Sequence, residues 1–228
     1  MHLARRWCIP PDDDAAFVAA MEDVLDLYQQ PYDPKRPQVC MDEQPVQLVK
    51  EVRKPITAKP GRPLRYDFEY ERNGTANIFL FCEPLLGWRH VNVTERRTAI
   101  DWAHQMKELV DVHYPGVEAI RLVLDNLNTH KIASLYEAFE PEEARRIARK
   151  LEIHYTPKHG SWLNVAESEL AALTTQCLKR RTPDIDVLRM NTAAWETDRN
   201  RKQKGVDWRF TTKDARIKLK RLYPHNLP

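Results

Sequence analysis

The spacing of apolar and polar positions predicts a chain that passes repeatedly between helices and strands. Residues 13–29 place aspartates first and an apolar stripe behind them, as expected of a helix packed on a core. Residues 64–71 alternate between apolar and charged side chains, which predicts a half-buried strand. The Asn73-Gly74 pair after it is a hairpin signal, so the run NIFLFCEP is expected to return as the next strand, and residues 85–93 extend the meander.

The second half of the chain alternates helices with apolar strands. Residues 95–113 have helical periodicity, and the run AIRLVLDN is typical of a central strand buried on both faces. Helices are expected over 132–150 and from about 162 to 178, separated by the strand LEIHYTP, and two basic helices follow. With the short apolar run VCMDE nearer the start, this order predicts an α/β fold with a mixed five-stranded sheet flanked by helices.

The composition is that of a folded domain without a membrane anchor. Hydrophobic residues make up 42% and charged residues 30% of the 228 residues, which allows a real core. No stretch approaches the roughly 20 consecutive apolar residues of a membrane span. Pro10-Pro11 and the aspartates behind them stand where a signal peptide needs its apolar run, so we expect a cytoplasmic protein. The cysteines stand singly and predict buried free thiols, not a zinc site.

Basic residues are concentrated towards the C-terminus. From Gln176 onward there are 14 Lys and Arg residues against 6 Asp and Glu residues, whereas the rest of the chain holds 22 against 27. A basic segment attached to an acidic body indicates a polyanionic partner. Many ordinary solvated helices are also rich in Lys and Arg, so the charge pattern needs support from the chemistry elsewhere.

Two acids are predicted at the ends of core strands. Asp42 ends the run VCMDE, and Asp125 ends the run LVLDN. Reactive groups of open α/β sheets collect beyond the carboxyl ends of strands. A carboxylate at such a position must face water or find a partner, and a bound cation is the simplest partner. Either acid alone could instead cap a turn, as Asp125-Asn126 would in an Asx turn.

A third acid is expected on the helix that follows LEIHYTP. In WLNVAESELAALTTQCL, the apolar positions define one buried helix face. Glu167 and Glu169 flank this face on opposite sides, at about 70° and about 90° from its centre. A flanking glutamate suits a metal ligand, but it is also an ordinary boundary residue. Periodicity alone therefore leaves the choice between Glu167 and Glu169 open.

Three segments carry a family resemblance. CMDE, VLDNLNTHK and HYTPKHGSWLNVAESEL occur in this order over about residues 38–178. They closely resemble the catalytic blocks of bacterial insertion-sequence transposases of the mariner superfamily, with their DDE endonuclease domain. The resemblance implies a ribonuclease-H-like fold, which the order of elements also matches. It assigns the catalytic and metal-binding roles to Asp42, Asp125 and Glu167, and so selects Glu167 over Glu169.

The same resemblance implies an activity and its partners. The expected reaction is metal-dependent DNA strand cleavage and strand transfer at transposon ends. The expected cofactor is Mg²⁺, with two ions per site and Mn²⁺ as a substitute, because three converging carboxylates repel one another unless hard cations neutralise them. The expected partner is double-stranded DNA, bound by a homodimer in the bacterial cytoplasm at the nucleoid.

Polar residues around these blocks are candidate DNA contacts. The loop before the Glu167 helix and the segment after Asp125 are where phosphates would pass, and the C-terminal segment adds cations. Trp162 is expected to stack on a base or to anchor the helix start. His130 is expected to contact substrate or to hold its loop through a backbone hydrogen bond. The residues assigned to DNA binding are Asn126, His130, Lys131, Lys158, His159, Ser161, Trp162, Arg201, Lys202 and Lys204.

The predicted organisation is an N-terminal helix and connector over 1–37, a catalytic domain over 38–180, and basic C-terminal helices packed on it over 181–228. Two features depart from the family pattern. The 41 residues between Asp125 and Glu167 exceed the spacing in the mariner branch, and 1–37 has no room for the usual helix-turn-helix modules. A non-catalytic remnant that only binds DNA and a ribonuclease-H-like cellular nuclease stay open as alternative functions.

Overall fold

A mixed five-stranded sheet forms the centre of the molecule. The computed structural model describes residues 13–224. Its strands are β1 Gln38–Glu51, β2 Tyr70–Glu83, β3 Trp88–Thr94, β4 Ile120–Leu124 and β5 Leu151–Tyr155. The strand order is β3-β2-β1-β4-β5. Strands β1, β2 and β3 pair antiparallel, and β4 and β5 continue the sheet parallel to β1. The predicted mixed five-stranded sheet is therefore confirmed.

Helices cover both faces of the sheet, and side-chain caps define where several begin. They are α1 Ala15–Tyr28, α2 Ala99–Glu108, α3 Ile132–Ala138, α4 Pro141–Ala148, α5 Val165–Gln176, α6 Ile185–Lys202 and α7 Thr212–Lys218. The Asp14 side chain accepts a 3.0 Å hydrogen bond from the Phe17 N–H at the start of α1. Thr98 and Asp101 form a capping box at the start of α2. A π-helical segment, Leu109–His113, continues α2.

The alternation of side chains along the strands divides the core into two layers. Cys40 and Val123 face the layer that contains α1, α5 and the C-terminal helices. Met41 and Leu122 face the opposite layer, formed with α2, α3 and α4. Strand β4 is therefore buried on both faces, as its continuous apolar run predicts. The C-terminal helices contribute to the first layer through buried side chains of α6 and α7.

The hairpin predicted at Asn73-Gly74 is wrong. Strand β2 begins at Tyr70, runs through both residues and pairs with the far half of β1. Gly74 has a φ of 87°, and the β1–β2 register shifts opposite it between Gln47 and Val49. The pair therefore accommodates a β-bulge, in which glycine adopts the positive φ without a steric penalty.

The strand predicted over 64–71 is also wrong over most of its length. Residues 52–69 form the long connection between β1 and β2, with only isolated bridges inside it. Tyr66 and Phe68 are 62% and 84% exposed, so the apolar side of the alternation does not face the core.

The cysteines of the described residues are free, as predicted. Cys40, Cys82 and Cys177 are free thiols, and the first two are buried; Cys8 lies outside residues 13–224, as do residues 1–12 of the predicted N-terminal segment. Of the helices in residues 13–224, none combines the length and apolarity that a bilayer crossing requires.

Candidate active site

Asp42 and Asp125 lie side by side on neighbouring parallel strands. Cys40 of β1 pairs with Val123 of β4, and each aspartate stands two residues further along the chain. Asp42 lies within β1, and Asp125 directly follows Leu124, the last residue of β4. Parallel neighbours are about 4.8 Å apart, and side chains two residues apart on a strand share a face. The Asp42 side chain therefore faces the α5 side of the sheet, as Cys40 does, and Asp125 lies beside it at the end of β4. The sequence predicted that β1 ends at Asp42. Instead, β1 continues to Glu51, and Asp42 lies level with the end of the neighbouring strand β4.

Helix α5 brings Glu167 to the same face. Asn164 is its N-cap, and the Asn164 side chain accepts a 3.1 Å hydrogen bond from the Ala166 N–H. The Asn164 Nδ2 donates to the backbone carbonyl of Met41 at 2.8 Å, directly before Asp42. Asn164 is 2% exposed, so this link between α5 and β1 is shielded from water. Glu167 lies in the first turn of the helix that Asn164 anchors.

The electrostatics of Asp42 show that the three acids influence one another. Burial raises the pKa of Asp42, and the Glu43 N–H, which donates to Asp42 Oδ1 at 2.7 Å, opposes this effect. The nearby charges of Asp125, Glu167 and Glu43 also raise it, and the net pKa is about 7. Within residues 13–224, the oxygens of Asp42, Asp125 and Glu167 do not all approach within 4.8 Å of one another. Three mutually repelling carboxylates form an all-oxygen donor set, which is the kind that Mg²⁺ prefers.

A buried histidine holds Asp125 in place. His130 Nδ1 lies 2.5 Å from Asp125 Oδ1, and its Nε2 lies 3.2 Å from Glu43 Oε2. Glu43 Oε1 in turn accepts from Arg97 at 3.2 Å. Burial opposes the charged form of His130, but its bonds to Asp125 and Glu43 outweigh burial and raise its pKa to about 9. His130 is therefore a cation held between the carboxylates of Asp125 and Glu43.

This arrangement corrects the assignment of His130 as a DNA contact. The His130 side chain is 0% exposed and stacks on Trp102, with ring centroids 5.9 Å apart. A phosphate cannot reach it in this conformation. The contact of Glu43 with Arg97 could not be predicted from the sequence, because the two residues are 54 positions apart along the chain. The only local signal was the acidic pair Asp42-Glu43.

Several candidate DNA contacts line a cleft beside Asp125. The cleft has a volume of about 370 Å³, and the proposed contacts along it are Asn126, Lys158, His159 and Ser161. All four side chains are exposed. His159 has a φ of 66°, the left-handed region that non-glycine residues rarely adopt, and such strain is often found at functional loops. The cleft thus places cationic and hydrogen-bonding groups next to one of the acids.

The remaining candidates lie elsewhere. Trp162 is half-buried and packs edge-on against Phe210, with centroids 5.7 Å apart, which fits the anchoring role rather than base stacking. Lys131 is exposed at the start of α3. Arg201 and Lys202 both pair with Asp198. Lys204 follows α6, and its carbonyl accepts a 2.7 Å hydrogen bond from Arg89 of β3. Because β3 is two strands away from β1 in the sheet, the end of α6 is equally far from β1.

Glu169 has a different environment from Glu167. It is 4% exposed, and its carboxylate binds Arg89 at 2.8 Å and Arg199 at 2.8 Å. The Arg89 side chain is only 2% exposed, so the cluster is buried. Helical periodicity placed Glu169 at the margin of the core but could not predict its ion-pair partners, which come from β3 and α6. Glu169 therefore belongs to a buried ion cluster, whereas Glu167 is half-exposed beside Asp42.

The mixed sheet, with acids on adjacent parallel strands and a third on the helix across them, defines a ribonuclease-H-like fold. A family model described as DDE superfamily endonuclease matches residues 37–189. The chain belongs to this family. Curated protein sequences contain no significant match to it.

Solved structures of the Mos1 mariner transposase share the fold. The Mos1 mariner paired end complex with Mn is 15% identical, with a TM-score of 0.55, and the alignment covers 87% of this chain and 60% of the Mos1 chain. The Mos1 strand transfer complex is 14% identical, with a TM-score of 0.60, covering 86% and 58%. The mariner Mos1 paired end complex with Mg is 14% identical, with a TM-score of 0.55, covering 99% and 68%. The chain thus spans about three fifths of the first of these relatives.

Proposed function

We propose that this chain is the catalytic part of a DNA transposase, with Asp42, Asp125 and Glu167 as its active-site carboxylates. The observation that carries the proposal is the parallel register of β1 and β4, which sets Asp42, on the face that α5 covers, beside Asp125 at the end of β4. Membership of the DDE superfamily endonucleases supports the reaction class. The fold shared with chains described in paired-end and strand-transfer complexes supports DNA ends as the substrate.

The chemistry of the donor set fits divalent cations. When bound, a pair of Mg²⁺ ions, or Mn²⁺ in their place, would activate the attacking hydroxyl and stabilise charge on the leaving oxygen at phosphorus. Three side-chain properties bear on metal binding by these acids. Asp42 is half protonated near neutral pH without a cation, since its pKa is about 7. Asp125 is oriented by His130, and Asn164 fixes the helix turn that carries Glu167.

The cleft beside Asp125 is the proposed path of the scissile strand. Lys158 and His159 would contact phosphates, with Asn126 and Ser161 as hydrogen-bonding partners. The exposed cations Arg201, Lys202 and Lys204 would bind a more distant part of the duplex. We further propose that the active species is a homodimer that pairs two transposon ends, with two metal ions per site, and that it acts in the bacterial cytoplasm at the nucleoid.

Strand cleavage and strand joining test the proposal together. The substrate is a labelled duplex taken from the inverted repeat next to the coding sequence, incubated with Mg²⁺ or Mn²⁺ and a supercoiled target plasmid. We expect nicking at the repeat end and joining of the freed 3′-hydroxyl to the plasmid. Glu167→Gln should lose both reactions by a factor of about 10²–10³, the cost of removing a group that stabilises the transition state.

A matched control separates loss of chemistry from loss of fold. Glu142→Gln removes an exposed carboxylate from α4 and should leave both reactions unchanged. Nicking without joining would favour a cellular nuclease, and DNA binding without either reaction would favour a non-catalytic remnant. Full activity of Glu167→Gln or Asp125→Asn would refute the assignment of the three acids.

A further inference from the structure

The end of helix α2 and the edge strand β3 form a second cluster of metal-binding side chains, on the opposite side of the sheet from the three acids. One ligand atom from each of His90, Glu108 and His113 lies within 4.8 Å of the other two. His90 comes from β3, Glu108 is the last residue of α2, and His113 ends the π-helical segment. The cluster therefore joins the edge strand β3 to the end of α2 and the segment that continues it.

The spacing of these atoms is that of ligands around one ion. His90 Nε2 lies 3.4 Å from Glu108 Oε1, and His113 Nε2 lies 3.8 Å from the same oxygen. A tetrahedral ion with bonds of about 2.0–2.2 Å holds its ligand atoms about 3.3–3.6 Å apart. Both ring nitrogens are buried and lack a hydrogen-bond partner in residues 13–224. Two buried imidazole nitrogens without partners are costly unless something binds them.

The surroundings orient each ligand towards the common point. Glu196 of α6 lies 3.4 Å from His90 Nδ1, where its carboxylate can accept a hydrogen bond, and this would leave Nε2 free to bind an ion. Glu196 itself is held by the Val91 N–H at 2.8 Å. Asn92 donates to Glu108 Oε2 at 3.0 Å and so leaves Oε1 for the histidines. A carboxylate behind a ligating histidine is the usual outer support of protein metal sites.

The π-helical segment explains why Glu108 and His113 meet. Residues five apart lie about 140° apart around an α-helix and would face different ways. A π turn closes i to i+5 hydrogen bonds, as Tyr114 N–H does to the Leu109 carbonyl at 3.0 Å. This local winding brings both side chains to one face, where the two imidazole centroids lie 4.2 Å apart. Trp88 packs on His113 at 5.1 Å and shields the cluster.

From this geometry we propose that His90, Glu108 and His113 bind a Zn²⁺ ion that ties the edge strand β3 to the end of α2. Two imidazoles and one carboxylate suit a borderline transition ion and not Mg²⁺, which prefers oxygen ligands only. Water completes the coordination, and Glu196 acts as a positioning residue through His90. Sequence reasoning from cysteine spacing had no means of finding this site, because none of the ligands is a cysteine.

Metal binding to the purified chain tests the proposal without any DNA reaction. Chelator-treated protein is titrated with Zn²⁺ by calorimetry and with Co²⁺ by visible absorption. We expect one Zn²⁺ bound at micromolar concentration or below, an intense Co²⁺ spectrum typical of four-coordinate ions, and a higher Tm with Zn²⁺. His113→Gln and His90→Gln should abolish this binding, and Glu196→Gln should weaken it by about 10- to 100-fold.

Two control variants locate the ion. Asp125→Asn removes one of the proposed active-site acids, and His104→Gln removes an exposed histidine of α2; both should bind Zn²⁺ as the wild type does. Circular dichroism confirms that each variant is folded. Absence of Zn²⁺ binding at micromolar concentration would overturn the proposal. So would binding that persists in folded His113→Gln, or binding that disappears in Asp125→Asn.

Discussion

The two glutamates of α5 should respond in opposite ways to the same substitution. Glu169 lies in a buried cluster with Arg89 and Arg199, and the Arg89 guanidinium also donates to the Lys204 carbonyl at 2.7 Å. Glu169→Gln keeps the shape of the side chain but leaves a buried guanidinium without its counter-charge. Removal of one partner of a buried ion pair costs about 3–5 kcal/mol. Glu167→Gln removes one of three repelling carboxylates and should leave stability unchanged or slightly higher.

The magnitude is large enough to measure directly. For a domain of about 150–250 residues, 1 kcal/mol corresponds to about 2–4 °C in Tm, so Glu169→Gln should lower the Tm by about 6–20 °C. Urea unfolding followed by tryptophan fluorescence, at pH 7 without divalent metal, gives the free energy of unfolding of both variants and the wild type. A loss below 1 kcal/mol in Glu169→Gln, or an equal loss in Glu167→Gln, would refute this reading of α5.

The pH dependence supplies an internal check. Burial disfavours the Glu169 carboxylate, but its bonds to Arg89 and Arg199 prevail and lower its pKa. A lowered carboxyl pKa contributes stability that is present above the unfolded value and is lost as the pH falls through the folded value. The difference between wild type and Glu169→Gln should therefore shrink as the pH falls below about 4.5, near the ordinary glutamate pKa.

Three further predictions concern the site itself. The pKa of Asp42 is about 7 in the folded protein against an ordinary value of 3.8. The metal-free protein should therefore lose up to about 4 kcal/mol of stability as the pH rises from about 4 to about 7. Asp42→Asn should abolish this loss in urea titrations. Asn164→Ala should lower the free energy of unfolding by about 1–3 kcal/mol through the lost cap and the orphaned Met41 carbonyl, and a wild-type Tm would contradict it. Lys158→Ala should reduce the slope of log affinity for duplex DNA against log salt by about 0.9; an unchanged slope would exclude a phosphate contact.

Local signals sufficed for much of the fold. The apolar stripe and Asp14 cap predict α1, and the continuous apolar run predicts a β4 buried on both faces. The hairpin at Asn73-Gly74 failed because the two residues also suit a bulge. Which of the two forms depends on pairing with β1 residues more than 20 positions away, such as Gln47. Local periodicity carries no information on that pairing.

The candidate site, like the fold, could be predicted from local sequence only in part. Asp42 and Asp125 could be picked out because each follows a short apolar run, and the choice of Glu167 depended on a family resemblance. The buried position of His130 could not be predicted, because its partners include Glu43, 87 residues away. The Glu169 cluster likewise needs Arg89, which is 80 residues away. Long-range ion pairs decide the roles of these side chains, and a single sequence does not display them.

Iron-mediated cleavage of the protein backbone tests the central claim most directly. Fe²⁺ bound in place of Mg²⁺ generates hydroxyl radicals under ascorbate and peroxide, and these cut the chain near the ion. We predict fragments ending near residues 42, 125 and 167 together, suppressed by excess Mg²⁺ and absent in Asp125→Asn. Cuts near residues 90, 108 and 113 would belong to the histidine cluster and would disappear in His113→Gln. Cleavage that misses the three acids, or that is unchanged in Asp125→Asn, would contradict a shared metal site.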